Sequence, residues 1–164
     1  MYITNILNIR RIQQLKISIY RIRGEEMFEI DMVKDCYEYM EHEDGNKMVV
    51  CEIPFMSRCI DMLVLSQEDE VISIEFKLSK WRHAIEQAID HKQGADYAYI
   101  CLPKRKTTPK LIAALEEAGV GLLIYDPETD EKMQKVVPAP KSNIVVPFFR
   151  EELLQTAYHI FDYQ

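Results

Sequence analysis

Between Arg58 and Leu78 two apolar runs of strand length flank a five-residue polar loop, Ser66-Gln67-Glu68-Asp69-Glu70. This segment constrains the fold more than any other, because it reads as a β-hairpin with a definite register. Side chains alternate across a strand, so Val71, Ser73, Glu75 and Lys77 share one face, and Cys59, Asp61, Leu63 and Leu65 share one face of the preceding strand. If Leu65 pairs with Val71 across the loop, Leu63 faces Ser73 and Asp61 faces Glu75. A slip of one residue would undo this arrangement. Asp61 is the only charge from Cys59 to Leu65, and Glu75 and Lys77 are the only charges from Val71 to Leu78. Like charges directly opposed across a ladder are destabilising, so the pair needs an explanation. A divalent cation is the obvious one.

The flanking sequence supplies the elements around this hairpin. From Glu25 to about Glu41, Met27, Ile30, Val33, Tyr37 and Met40 recur at three and four, which predicts an amphipathic helix. Met48 to Ile53 predicts a strand ended by Pro54. Trp81 to about Lys92 predicts a helix with Trp81, Ala84, Ile85, Ala88 and Ile89 on its apolar face and Gly94 as its stop. Tyr97 to Leu102 is a further strand, Pro109 to Ala118 a helix with Gly119 after it, and Val120 to Tyr125 a strand. Residues 128–147 contain Pro138, Pro140 and Pro147 and read as irregular, and Arg150 to Tyr163 reads as a closing helix. Short links make the first strands an antiparallel meander, whereas strands reached through a helix are parallel crossovers. The expectation is an α/β fold with a mixed central sheet and helices on both faces. Its organisation is a basic arm or helix at 1–24, a core domain at 25–126, and a C-terminal extension at 127–164 whose helix packs on the core.

Length and charge narrow the class. At 164 residues and 48% hydrophobic the chain suits one domain with a real core. A net charge of −7 is not that of a general nucleic-acid coat protein. The charge is uneven: residues 1–24 hold Arg10, Arg11, Lys16, Arg21 and Arg23 and no acid. The first residues do not read as a secretory signal, and no window approaches the roughly 18 apolar residues of a membrane span. Cys36, Cys51, Cys59 and Cys101 are scattered without a Cys-x-x-Cys pair, which favours free thiols in a reducing cytosol over a disulfide or zinc site.

Two carboxylates, Asp61 and Glu75, with the main-chain carbonyl of Phe76, make a hard oxygen site suited to Mg²⁺. Such an ion can polarise a phosphoryl oxygen and lower the pKa of a bound water. Lys77 beside it can orient or deprotonate that water, or neutralise charge building on a phosphate. Carboxylates beside lysines are also common on exposed strand faces, so Glu-x-Lys by itself distinguishes little.

With its surroundings the pattern does more. Ile60-Asp61, a hairpin, then Ile74-Glu75-Phe76-Lys77 resembles the bipartite signature of the PD-(D/E)XK nuclease superfamily, the restriction-endonuclease-like fold. Arg58 to Leu65 resembles that family's second core strand. Lys77 to Ala88 resembles the strand-to-helix step of its bacterial members, Ala95 to Pro103 the next strand, and Gly119 to Leu123 the last. The likeness spans roughly residues 25–126. It departs at Ile60, where the signature has proline.

The resemblance implies Mg²⁺-dependent cleavage of DNA, less often RNA, with Mn²⁺ able to substitute, in repair, restriction or defence. Asp61 and Glu75 match its metal ligands and Lys77 its catalytic lysine. Many members add a glutamate on the first helix, for which Glu29 is the choice and Glu26 the competitor. Some carry a glutamine on the helix after the lysine strand, for which Gln87 is the candidate. His83, Gln87 and His91 otherwise read as a solvent-facing polar stripe. Lys80, Arg82, Arg105 and Lys106, with Lys110, are candidates for phosphate-backbone contacts. The alternative is a non-catalytic module that keeps the fold and binds nucleic acid or protein. The small size points to a homodimer, a partner protein or weak sequence specificity.

Overall fold

The computed structural model describes residues 19–22, 25–43 and 45–163. The rest of the 1–24 segment, the subject of the arm-or-helix expectation, lies outside the described residues. The elements are β1 (Ile19–Ile22), β2 (Glu25–Phe28), α1 (Glu29–His42), β3 (Asn46–Phe55), β4 (Arg58–Ser66), β5 (Val71–Phe76), α2 (Trp81–His91), β6 (Tyr97–Pro103), α3 (Pro109–Ala118), β7 (Gly121–Tyr125), β8 (Met133–Val137) and α4 (Pro147–Asp162).

The central sheet has six strands in chain order, β3-β4-β5-β6-β7-β8. β3, β4 and β5 form the antiparallel meander, and β5, β6 and β7 run parallel through α2 and α3, as the link lengths require. Helices cover both faces. On one, Met32 and Cys36 of α1 pack on Met62, Val64, Ile74, Phe76, Tyr99 and Cys101. On the other, Ala84, Ile85 and Ala88 of α2 and Leu111 and Leu115 of α3 pack on Ala98, Ile100, Leu102, Leu122 and Ile124. Leu153 and Ala157 of α4 cover the β3–β5 end of that second face, over Val50, Ile53, Leu63, Leu65 and Val71. Arg150 of α4 donates to Asp96 and to the carbonyl of Asp69, and Asp96 also accepts the N–H of Val71 at 2.7 Å, so the last helix is tied to the hairpin loop and the start of β6. This is a mixed α/β sheet with helices on both faces.

Four expectations are corrected. Residues Glu25–Phe28 are not the first helical turn but a strand, paired antiparallel with Ile19–Ile22. The helix starts at Glu29, where the Asp31 carboxylate reaches back to the N–H of Phe28 at 3.1 Å and satisfies a donor left free at the helix start. β3 does not stop at Pro54 but runs through it to Phe55. Proline is tolerated because β3 is the edge strand of this sheet among the described residues. Within residues 128–147, read as irregular, Met133–Val137 forms β8, antiparallel to β7. Only Met133 is buried there, as suits a polar edge strand whose pattern has no apolar alternation to reveal it. The closing helix begins at Pro147 rather than Arg150, with proline in its first turn, where no N–H is needed. Elsewhere Gly119 ends α3 in the left-handed conformation, φ 62°.

Among the described residues no helix is long and apolar enough to cross a membrane. The four cysteines are free thiols; Cys36 and Cys101 are buried and Cys59 is exposed.

Candidate metal centre

The β4–β5 register places the site. Leu65 pairs with Val71, Val64 with Ile72, Leu63 with Ser73 and Met62 with Ile74, which brings Asp61 and Glu75 to the next rung. There the ladder stops, and the Asp61 side chain takes over: its Oδ2 accepts the N–H of Phe76 at 2.7 Å. The other flank of Asp61 is also irregular. Cys51 pairs with Met62 and Ile53 with Ile60, so Glu52 lies opposite Asp61, and Glu52 has a left-handed φ of 55°. Such a conformation in a non-glycine residue costs about 1–3 kcal/mol. The sheet is thus distorted on both sides of Asp61, at the place where a carboxylate rather than a regular ladder is presented.

Glu75 is fully buried and Asp61 partly so. Lys77, one residue past the end of β5, folds back over them. Its Nζ donates to Glu75 Oε1 at 3.0 Å and to the Phe76 carbonyl at 2.9 Å. Glu29, at the start of α1, completes the group with its Oε1 3.4 Å from the same Nζ. Helix α1 lies on one face of the sheet while Asp61 and Glu75 belong to strands, so Glu29 reaches the group from a separate element. Glu26 lies in β2, a strand, rather than on the helix with Glu29.

Burial raises the pKa of both strand carboxyls above the usual carboxylate range. For Glu75 the Asp61 charge pushes in the same direction; for Asp61 the Lys77 charge and the Phe76 N–H oppose it. Burial alone would lower the Lys77 ammonium, but Asp61, Glu75 and Glu29 more than offset that and hold it above its ordinary value. Acids that resist ionisation, packed around a cation that resists deprotonation, form a coupled unit of the kind found at functional sites.

The residues fit a hard divalent ion. Two carboxylates and a main-chain carbonyl converge at the end of β5. Among the described residues no group of three or more His, Cys, Asp and Glu side chains forms a ready cage. A hard divalent ion such as Mg²⁺ commonly takes one or two protein carboxylates and fills its other positions with water and substrate phosphate. The donor set available to it is Asp61, Glu75 and the Phe76 carbonyl.

The polar stripe on α2 is not solvent-facing. His91 is buried, and Gln87 Oε1 is buried although part of that residue is exposed. Ile89, expected on the apolar face, is 38% exposed. Lys80 and Arg82 stand at the N-terminus of α2, where Ser79, Trp81, His83 and Glu86 line a cavity of about 330 Å³ with them. The Arg82 guanidinium lies 4.3 Å over the Trp81 ring, which is only partly buried against the core. Arg105 and Lys106 lie in the loop after β6. Because β5 and β6 are parallel, both basic segments leave the same edge of the sheet as Lys77.

No family model matches this sequence, and no curated protein matches it. Solved structures do. A protein of unknown function from Silicibacter pomeroyi, SPO1766, is similar over 68% of this chain and 71% of its own, at 23% identity and a TM-score of 0.50. A repair endonuclease from Pyrococcus abyssi is similar over 65% of this chain at 20% identity, TM-score 0.48. EndoMS, in a dsDNA complex, is similar over 67% at 18% identity, TM-score 0.49. This chain matches 50% of the length of each of the last two proteins. At 23% identity the likeness to the Silicibacter pomeroyi protein speaks to the fold alone.

Proposed function

We propose that this chain, folded as the PD-(D/E)XK nucleases are, is a metal-dependent nuclease that hydrolyses phosphodiester bonds in nucleic acid, DNA first among them. The observation that carries this reading is the convergence of Glu75 and Glu29, from β5 and α1, on the Lys77 ammonium, beside Asp61 of β4 bonded to the Phe76 N–H.

A bound Mg²⁺, held by Asp61, Glu75 and the Phe76 carbonyl, would supply Lewis-acid polarisation of a phosphoryl oxygen and a lowered pKa for water. The chain's own residues do the rest. Phe76 N–H fixes one oxygen of Asp61. Lys77, whose Nζ reaches Glu75 and the Phe76 carbonyl, would stand beside a phosphodiester, where it can orient the attacking water or neutralise charge developing on the non-bridging oxygens. Glu29 restrains the direction of Nζ from the far side. Lys80, Arg82, Arg105 and Lys106 supply positive charge for the substrate backbone on a chain whose overall charge is negative.

The test is incubation with labelled single- and double-stranded DNA and with RNA, in Mg²⁺, Mn²⁺ or EDTA. Cleavage with either metal and none in EDTA supports the reading. Cleavage unchanged in Asp61→Ala excludes this site, and binding without cleavage under every condition favours the non-catalytic module.

A further inference from the structure

Among the described residues, five buried side-chain polar atoms lack a hydrogen-bond partner in the protein: Ser73 Oγ, Glu75 Oε2, Gln87 Oε1 and both ring nitrogens of His91. Their four residues lie on two elements that pack together, β5 and α2. Ser73 and Glu75 alternate on β5, where they pair with Ala98 and Ile100 of β6. Ala98 and Ile100 pack against Ala84, Ile85 and Ala88 of α2, so Ser73 and Glu75 face that helix too. Gln87 and His91 are four apart on α2 and therefore share a helix face. Four helical residues rise about 6 Å, close to the rise of two strand residues, so the two rows match in spacing. Burial, with the charges of Arg58 and Lys77, lowers the His91 pKa to about 4, which keeps the ring neutral, with one nitrogen donating and the other accepting.

A buried polar atom left bare is costly, and proteins rarely leave several together. Internal water, which makes about three hydrogen bonds, satisfies such sets. We propose that Ser73, Gln87 and His91, joined by internal water, form a hydrogen-bonded relay that grips Glu75 Oε2 from behind, making His91 and Gln87 positioning residues for the carboxylate that holds the metal. The proposal rests on the nuclease reading for the role of Glu75, but the relay itself exists in the metal-free protein. It divides the labour at Glu75: Lys77 holds Oε1 on the outer side, and the relay sets the rotation of the carboxylate.

Two measurements test it. In the metal-free wild-type protein, ¹⁵N-resolved NMR of His91 reads its ring. A single neutral tautomer with a slowly exchanging N–H supports the relay; a rapidly exchanging ring in tautomeric equilibrium overturns it. Mn²⁺ affinity, read by EPR, is then compared across His91→Phe, Gln87→Leu and His91→Gln. The first two should weaken Mn²⁺ about 10–100-fold, with kcat falling and KM for DNA little changed. His91→Gln, which restores a donor and an acceptor, should regain most of the affinity. Unchanged affinity in folded Gln87→Leu and His91→Phe overturns the relay while leaving the nuclease reading intact. A wild type that binds no Mn²⁺ but retains the protected ring overturns the nuclease reading and, with it, the positioning role.

Discussion

The main-chain N–H of Phe76 donates to Asp61 Oδ2 at 2.7 Å, at the point where the β4–β5 ladder ends. A side-chain oxygen occupies the place of a ladder carbonyl, so Asp61 is at once the end of the sheet and a wall of the site. Two substitutions separate these roles. Asp61→Asn keeps an acceptor for Phe76 but removes the charge. It should stay close to wild-type stability while losing about 10²–10³-fold in cleavage rate. Asp61→Ala also strands the buried N–H, at a cost of about 1–3 kcal/mol, read by urea denaturation in EDTA.

The buried carboxyls make metal-free stability depend on pH. A group whose folded pKa is raised contributes stability that is fully present below its unfolded pKa and is lost as pH rises through the folded value. For Glu75 that window runs from the ordinary carboxylate range up to about 8, burial being the main cause and the Asp61 charge the next. In EDTA, Tm should therefore fall as pH is raised from 5 to about 8. Glu75→Gln should flatten that slope, and Mg²⁺ should restore the wild-type Tm at the upper end.

Lys77 competes with a cation for the same oxygens, Glu75 Oε1 and the Phe76 carbonyl. Lys77→Met should bind Mn²⁺ at least as tightly as wild type in a titration, although it loses turnover. Weaker binding in a folded Lys77→Met would show that the ammonium organises the carboxylates rather than opposing the ion.

Leu153 of α4 is buried on the sheet beside Val50, Ile53 and Leu63. Leu153→Ala should cost about 2–5 kcal/mol in equilibrium unfolding without changing Mn²⁺ affinity. A cost near zero would mean that the last helix is dispensable to the core.

The hairpin was legible in the sequence because its loop length, its apolar alternation and its isolated charges all require one register, and the ladder runs as those features demand from Leu65–Val71 to Met62–Ile74. The crossovers through α2 and α3 were legible from link length. Glu29 was accessible only through family resemblance, since nothing local distinguishes it from Asp31. The left-handed backbone at Glu52 left no trace, because it arises where two strands are forced out of regular pairing. The burial of His91 was hidden for a geometric reason. The isoleucines at 85 and 89 make the apolar face of α2 seem centred on them. The small side chains of Ala84 and Ala88 let the helix approach the sheet on a line that turns Gln87 and His91 inward and Ile89 outward. A buried polar row at helical spacing looks, in sequence, like a solvated one.

The central claim is that the group around Lys77 cleaves phosphodiesters. The most direct measurement is the rate of cleavage of a labelled oligonucleotide in Mg²⁺ by wild type and by Lys77→Met, prepared in parallel and matched by circular dichroism. Wild type should cleave in a Mg²⁺-dependent manner, and the variant should lose at least about 10²-fold. Equal rates for the two proteins, or the same rate in EDTA, would contradict it.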